Sequence, residues 1–312
     1  MDALHGILLG YDGSPGSEEA LGWAAREARS RGSVLTACLA WAPGYPASAT
    51  EVAMFARRSG ERTLVQGLRH AQDLMGSGEI RPLLADRPAA TALCELSGDA
   101  EMVVVGSRGQ GGLAGLLLGS VSSQVAAHAH GRVVVVRGHW QRVAGHIAAP
   151  IVVGTEGSAP SVAAVEFAFE EAALRGTSLV AVCALADAPG VLGGSGQIRR
   201  DFEDLITRSE KGHPGVTVRR QIAEGSARSA LLAAAFEAQM LVVGARGLGG
   251  VRGMMLGSVS HTLLQHAPCP VGVARVTLSP GPGGQTGSGR PERMHRTSAL
   301  SPRYLPVGNL EV

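Results

Sequence analysis

Met102-Val-Val-Val-Gly106-Ser-Arg-Gly109, nine residues, then Gly119-Ser-Val-Ser122: this stretch is repeated almost letter for letter as Met240-Leu-Val-Val-Gly244-Ala-Arg-Gly247, nine residues, then Gly257-Ser-Val-Ser260. Each begins as a short apolar run of the kind that makes a buried strand, opens into a glycine loop, and continues into a helix. Glycines let the backbone approach an anion closely, successive N–H groups can converge on it, and the helix starting at Ser120 or Ser258 adds a positive dipole end. The pattern is that of a phosphate-binding loop, and the chain carries it twice.

The repeat extends beyond the loops. An offset of 138 residues superposes the two glycine loops, and an offset of 144 lays Ile7-Leu-Leu-Gly10-Tyr-Asp12-Gly13-Ser14 on Ile151-Val-Val-Gly154-Thr-Glu156-Gly157-Ser158 and Arg31-Gly32 on Arg175-Gly176. The chain is therefore read as two copies of one domain, residues 1–137 and 148–276, joined by a linker at 138–147. Within the first copy the expected order is strand (Gly6 to Gly10), helix through Ala20, Leu21, Ala24, Ala25 and Ala28 ended by Gly32, strand (Val34 to Trp41), and helix between Glu51 and Met75. A weaker strand (Ile80 to Leu84), a helix (Ala89 to Leu96), a strand (Met102 to Val105), the glycine loop with its helix, and a last strand (Val133 to Val136) follow. This alternation predicts an α/β fold, two tandem doubly wound, Rossmann-like parallel sheets of five strands with helices on both faces. In such sheets the ligand crevice lies at the carboxyl ends of the strands, where the winding reverses. The Asp12 turn, the end of the second strand and the glycine loop all reach that edge.

Composition narrows the chemistry. With 312 residues, 45% hydrophobic and 4% aromatic, the chain can build two aliphatic cores, and a net charge of +2 gives no footing for a nucleic-acid partner. No apolar run reaches membrane-spanning length and no secretory signal opens the chain, so the expected location is cytoplasmic, with no membrane partner. Lys211 is the sole lysine, which excludes a GxxxxGK[ST] phosphate loop and argues against Schiff-base chemistry. Cys38, Cys94, Cys183 and Cys269 have no metal-ligand spacing and are read as small buried hydrophobes. From Thr277 onward glycine and proline dominate, and residues 277–312 are expected to form a disordered tail without a packed element.

The Asp-Gly-Ser turn after the first strand and the Gly-x2-Gly-x9-Gly-Ser loop after the fourth make both copies resemble the universal stress protein family, in its tandem-domain form. The resemblance spans about residues 4–137 and 148–275 and implies ATP as ligand, accompanied by Mg2+. It places Asp12 beside the adenosine, Ala40 against the base, Val105 and Gly106 beside ribose and phosphate, and Gly109, Gly119, Ser120 and Val121 around the triphosphate. The matching set in the second copy is Glu156, Ala184, Val243, Gly244, Gly247, Gly257, Ser258 and Val259. It further implies pairing of the copies through their fifth strands, Val133 to Val136 against Val271 to Ala274, and a homodimer of chains.

Three departures from the family pattern bear on the sites. Glu156 replaces the aspartate of the first copy, lengthening the side chain by a methylene. Asp86 occupies the turn where the second copy keeps Gly225, and an inward carboxylate there would disfavour a polyphosphate. Ala129-His-Gly-Arg132 replaces Ala267-Pro-Cys-Pro270, read as a change of turn rather than of chemistry. Arg108 and Arg246 are read as solvated loop arginines, and His128 and His266 as partners of helix dipoles. No catalytic constellation or metal set is found, so the expected function is an ATP-binding, nucleotide-responsive stress or signalling protein and not an enzyme. The alternatives are a slow ATPase or phosphotransfer or adenylyl-transfer enzyme, for which Asp12 and Asp86 are the first-copy carboxylates, and a nucleotide-free dimeric scaffold.

Overall fold

A computed structural model describes residues 6–41, 50–111, 117–137, 149–185, 194–247, 255–275 and 303–304. In the first copy the strands are β1 (Gly6–Gly10), β2 (Val34–Ala40), β3 (Ile80–Ala85), β4 (Met102–Gly106) and β5 (Arg132–Val136). The helices are α1 (Pro15–Arg31), α2 (Thr50–Met75), α3 (Ala89–Leu96) and α4 (Ser120–His128). The second copy repeats them as β6 (Ile151–Gly154), β7 (Leu179–Leu185), β8 (Val218–Glu224), β9 (Met240–Gly244) and β10 (Val271–Ala274), with α5 (Val162–Arg175), α6 (Gly194–Gly212), α7 (Ala227–Ala235) and α8 (Ser258–His266). Each copy has the strand order 3-2-1-4-5, all parallel, as expected from the alternation. Among the described residues no helix is long and apolar enough to cross a membrane.

Helix α1 shows how local sequence sets these elements. The Ser14 hydroxyl accepts from the Ser17 N–H at 3.2 Å, Pro15 stands in the first turn, and Gly32, at φ 63°, closes the helix by donating to the Ala28 and Arg29 carbonyls. The expected face, Ala20, Leu21, Ala24, Ala25 and Ala28, is fully buried. Residues of the central strands are covered on both faces, which is why they read as continuous apolar runs, whereas the outer strand β8 is half-buried to exposed along its length. Ile7, Leu9, Met102, Val104, Val134 and Val136 pack with α1 and α2, while Leu8, Val103, Val105, Val133 and Val135 pack with α3 and α4.

The two sheets are one. β5 and β10 pair antiparallel, Val133 opposite Val273 and Val135 opposite Val271, so both core layers run through the whole molecule. On the α1/α5 side the seam is closed by a buried ionic tetrad. Glu27 accepts from Arg31 at 2.6 Å and from Arg175 at 2.6 Å, and Glu171 accepts from the same two guanidiniums. The members are related by the same 144-residue offset that relates the copies. Burial, then the charge of Glu27, pushes the Glu171 carboxyl up to about 7.

Four expectations need amendment. The Arg132 turn does more than change direction: its guanidinium holds Glu170 of the second copy at 2.7 Å and 2.5 Å and lies 4.8 Å from the Phe167 ring, a cross-seam contact that Pro270 cannot make. The strand register also shifts one correspondence. Ala40 pairs with Ala85 and Ala184 with Ala223, so Asp86 corresponds to Glu224, and it is Arg87 that replaces Gly225, a glycine at φ 93°. Three of the cysteines are buried, whereas Cys94 is only half-buried. Finally, the expectation that 277–312 builds no element fails at β11 (Arg303–Tyr304), which pairs antiparallel with Leu84 and Leu83 of β3. β3 is the outer parallel strand of the first copy, and β11 covers its edge. The rest of that stretch and the 138–147 linker lie outside the described residues.

Candidate functional site

At the carboxyl edge of each half-sheet a cleft opens where β1 meets β4, and β6 meets β9, the points at which the winding reverses. The first has a volume of about 340 Å3 and the second about 320 Å3, sizes suited to a small organic ligand. All eight residues expected in the first site, Asp12, Ala40, Val105, Gly106, Gly109, Gly119, Ser120 and Val121, line the first cleft. All eight expected in the second, Glu156, Ala184, Val243, Gly244, Gly247, Gly257, Ser258 and Val259, line the second.

One end of each cleft is apolar and the other is built from backbone donors. In the first, Cys38, Ala40, Leu93 and Val105 form the apolar wall; in the second, Val182, Ala184, Leu231 and Val243 do. Opposite stand the first turns of α4 and α8. Their N-caps, Gly119 and Gly257, provide no side-chain acceptor, so the N-terminal amides and the positive dipole end meet the cleft uncapped. The position of each helix is fixed from behind. Ser122 Oγ donates to the Gly106 carbonyl at 2.6 Å, and Ser260 Oγ to the Gly244 carbonyl at 2.7 Å, tying the helix start to the end of the preceding strand. The Gly119 and Gly257 amides add hydrogen bonds to the Ser107 and Ala245 carbonyls at 2.8 Å and 2.7 Å. The identical Ser-x-Ser spacing in both copies was the sequence signal for this tie.

Asp12 braces the first loop. Its Oδ1 accepts from the Ser14 amide at 3.0 Å and its Oδ2 from the Gln110 amide at 2.9 Å, while the Gln110 side chain returns to the Asp12 carbonyl at 2.6 Å. Burial works to raise this carboxyl, but the hydrogen bonds from Ser14 and Gln110 outweigh it and hold the group below the usual carboxylate range. The loop can close on it because Gly109 has no side chain: a Cβ there would fall 2.4 Å from Oδ2. Behind the loop, α1 meets it backbone to backbone, since a Cβ on Gly16 would lie 2.3 Å from the Arg108 carbonyl.

The longer Glu156 changes the second turn. Its Oε1 accepts from Ser158 Oγ at 2.5 Å, so this hydroxyl turns to the carboxylate, whereas the equivalent Ser14 hydroxyl caps α1. The chain then makes a 3-10 turn, Ala159–Ser161, before α5 begins. Thr155 takes the place of Tyr11, a buried phenol that donates to Glu18 and is raised well above its ordinary range by burial and then by that carboxylate.

Asp86 does not line the first cleft. It pairs with Arg87 at 3.7 Å, and Arg87 also holds Glu95 at 2.5 Å, so the expected repulsion of a polyphosphate is removed by geometry and by charge. Arg108 and Arg246, read from the sequence as merely solvated, line their clefts although both are exposed. Sequence reasoning also missed Tyr11 and Leu93 as cleft residues, because packing of α3 and the first turn against the crevice has no local motif.

Comparison with known proteins agrees with this architecture. The sequence model of the universal stress protein family matches residues 4–137 and 149–275. A universal stress protein of Mycobacterium tuberculosis is 35% identical over 306 residues, covering 88% of this chain and 96% of the relative. One of Mycolicibacterium smegmatis is 34% identical over 291 residues, covering 87% and 97%. Among solved structures, a universal stress protein from Archaeoglobus fulgidus superposes with a TM-score of 0.64 at 21% identity, over 88% of this chain and 99% of that one, a likeness of fold. With both copies matched and both clefts built alike, the chain belongs to the universal stress protein family.

Proposed function

We propose that each cleft binds an adenine nucleotide, ATP with its Mg2+, and that occupancy makes the protein a nucleotide-responsive component of stress or signal handling. The observation that carries this reading is the pairing, in both copies, of an uncapped helix N-terminus and glycine loop with an apolar pocket at the opposite end. A polyphosphate is suited to the first and a planar base to the second. Residues Gly109, Gly119, Ser120 and Val121, with their counterparts Gly247, Gly257, Ser258 and Val259, would hold the phosphates, and Ala40 and Ala184 leave room for the base. A handful of charge-assisted hydrogen bonds supports micromolar affinity, roughly −8 kcal/mol.

Binding without turnover is favoured by Asp12. Both of its oxygens are engaged by backbone amides, which suits a brace better than a general base. A homodimer in the cytoplasm, where ATP is abundant, completes the reading. The outer strand β8 ends the sheet with an edge that no described strand covers, and sedimentation of the purified chain tests whether two chains associate.

The direct test is acid extraction of the freshly purified protein with identification of the released nucleotide, followed by titration with MgATP. About two ATP per chain is the expected result. Neither bound nucleotide nor binding on titration would overturn the reading in favour of a scaffold.

A further inference from the structure

Arg137 and Arg275 stand 138 residues apart, each the first residue after the last strand of its copy. Both are half-buried, neither lines a cleft, and each reaches across the β5–β10 seam. Arg137 donates to the Leu264 carbonyl in the last turn of α8, and also, at 3.4 Å, to the Leu117 carbonyl just ahead of Gly119 in the first loop. Arg275 donates to the Ala129 carbonyl at 3.0 Å and to the Ala126 carbonyl, at the end of α4. Each arginine therefore grips the C-terminal end of the helix whose first turn lines the other copy's cleft.

A guanidinium in that place satisfies carbonyls that the helix leaves without partners and complements the negative end of its dipole. Behind each lies a like charge in its own copy. Burial, then Arg108, holds Arg137 below the ordinary arginine range, and burial, then Arg246, does the same for Arg275. Geometry ties each arginine to its own loop: the Ser107 amide donates to the Val136 carbonyl at 2.8 Å and the Ala245 amide to the Ala274 carbonyl at 3.0 Å, so a ligand that fixes the first loop also fixes Arg137 and, through it, the end of α8. The same connection runs in reverse from the second loop through Arg275 to α4. Ordering prepaid by one ligand lowers the cost to the next, and the effect is reciprocal.

We propose that Arg137 and Arg275 are positioning residues that couple the two clefts, so that a phosphate-bearing ligand in one raises the affinity of the other. The proposal rests on the nucleotide reading above, and its test separates the two. Gly119→Asn and Gly257→Asn each leave one working cleft: the backbone at these N-caps, φ −72° and −74°, accepts a side chain, the nearest atoms to an added Cβ are 3.3 Å and 3.4 Å away, and asparagine is itself a preferred, uncharged cap whose side-chain oxygen takes the helix amides that a phosphate would need.

Titration calorimetry with MgATP on the wild type, these two variants and the double variant Arg137→Met/Arg275→Met is the experiment. The expected result is a second binding step in the wild type about fivefold tighter than the same cleft measured alone, at the low end of typical allosteric coupling. In the double variant the two steps should revert to the single-cleft affinities, whatever its melting temperature does. The pair Arg137→Lys/Arg275→Lys, which keeps the charge and a donor, should retain part of the coupling and serves if the methionine variant does not fold. A wild-type isotherm equal to the sum of the single-cleft isotherms would overturn the coupling alone. Coupling that persists undiminished in either double variant would overturn the role of these arginines, and a wild type that binds nothing would overturn the nucleotide reading together with it.

Discussion

Asp12 and Glu156 differ by one methylene, and that difference spreads. The shorter carboxylate bonds to backbone amides on both sides and leaves the Ser14 hydroxyl to cap α1; the longer one captures the Ser158 hydroxyl. Asp12→Asn keeps an acceptor for Ser14 but presents an amide donor to the Gln110 N–H, so the loop loses its brace. MgATP titration of this variant should show the first cleft weakened several-fold and the second unchanged, and equal affinities in variant and wild type would remove Asp12 from the site. The sequence marked the substitution as important but placed its effect in the ligand pocket. The structure shows that it acts first on the turn, because hydrogen-bond reach to neighbouring backbone groups is decided by packing rather than by residue type.

At the scale of the element, the helix starts distinguish the copies. Ser14→Ala should cost about 1 kcal/mol, read as a lower urea midpoint, because it deletes the cap of α1. Ser158→Ala should cost less, since the 3-10 turn ahead of α5 takes no side-chain cap from it. Ser122→Ala leaves the buried Gly106 carbonyl without its hydroxyl donor and should also cost about 1 kcal/mol. Equal losses at Ser14 and Ser158 would contradict the difference in capping. Most element bounds were legible within a residue or two, as with Gly32 ending α1 and Ala89–Leu96 forming α3. The turn after β3 was not. Only the pairing of Ala40 with Ala85 and Ala184 with Ala223 shows that Arg87, not Asp86, answers to Gly225.

Across the whole molecule, the seam joins two copies into a single sheet, and the buried tetrad makes that joint sensitive to pH. The folded state raises the Glu171 carboxyl from its ordinary 4.5 to about 7, so it holds a proton more tightly than the unfolded chain does. The resulting contribution to stability is complete below about pH 4.5 and is lost as pH rises to about 7. Thermal unfolding across this range should show the wild type losing stability relative to Glu171→Gln, whose cost from disturbing Arg31 and Arg175 is present at both ends. Parallel curves for the two proteins would rule out titration of Glu171 as the cause.

The sequence by itself determined the two-copy α/β organisation, because strand and helix periodicity are local. It also determined the location of both clefts, because glycine loops must follow strands at the sheet edge. Only the tertiary structure decided what crosses between the copies. Glu27, Arg31, Glu171 and Arg175 coincide under the 144-residue offset and Arg137 and Arg275 under the 138-residue one, yet nothing local to them says that they meet a partner. Their contacts exist because β5 and β10 pair antiparallel, which brings residues more than a hundred positions apart within hydrogen-bond range.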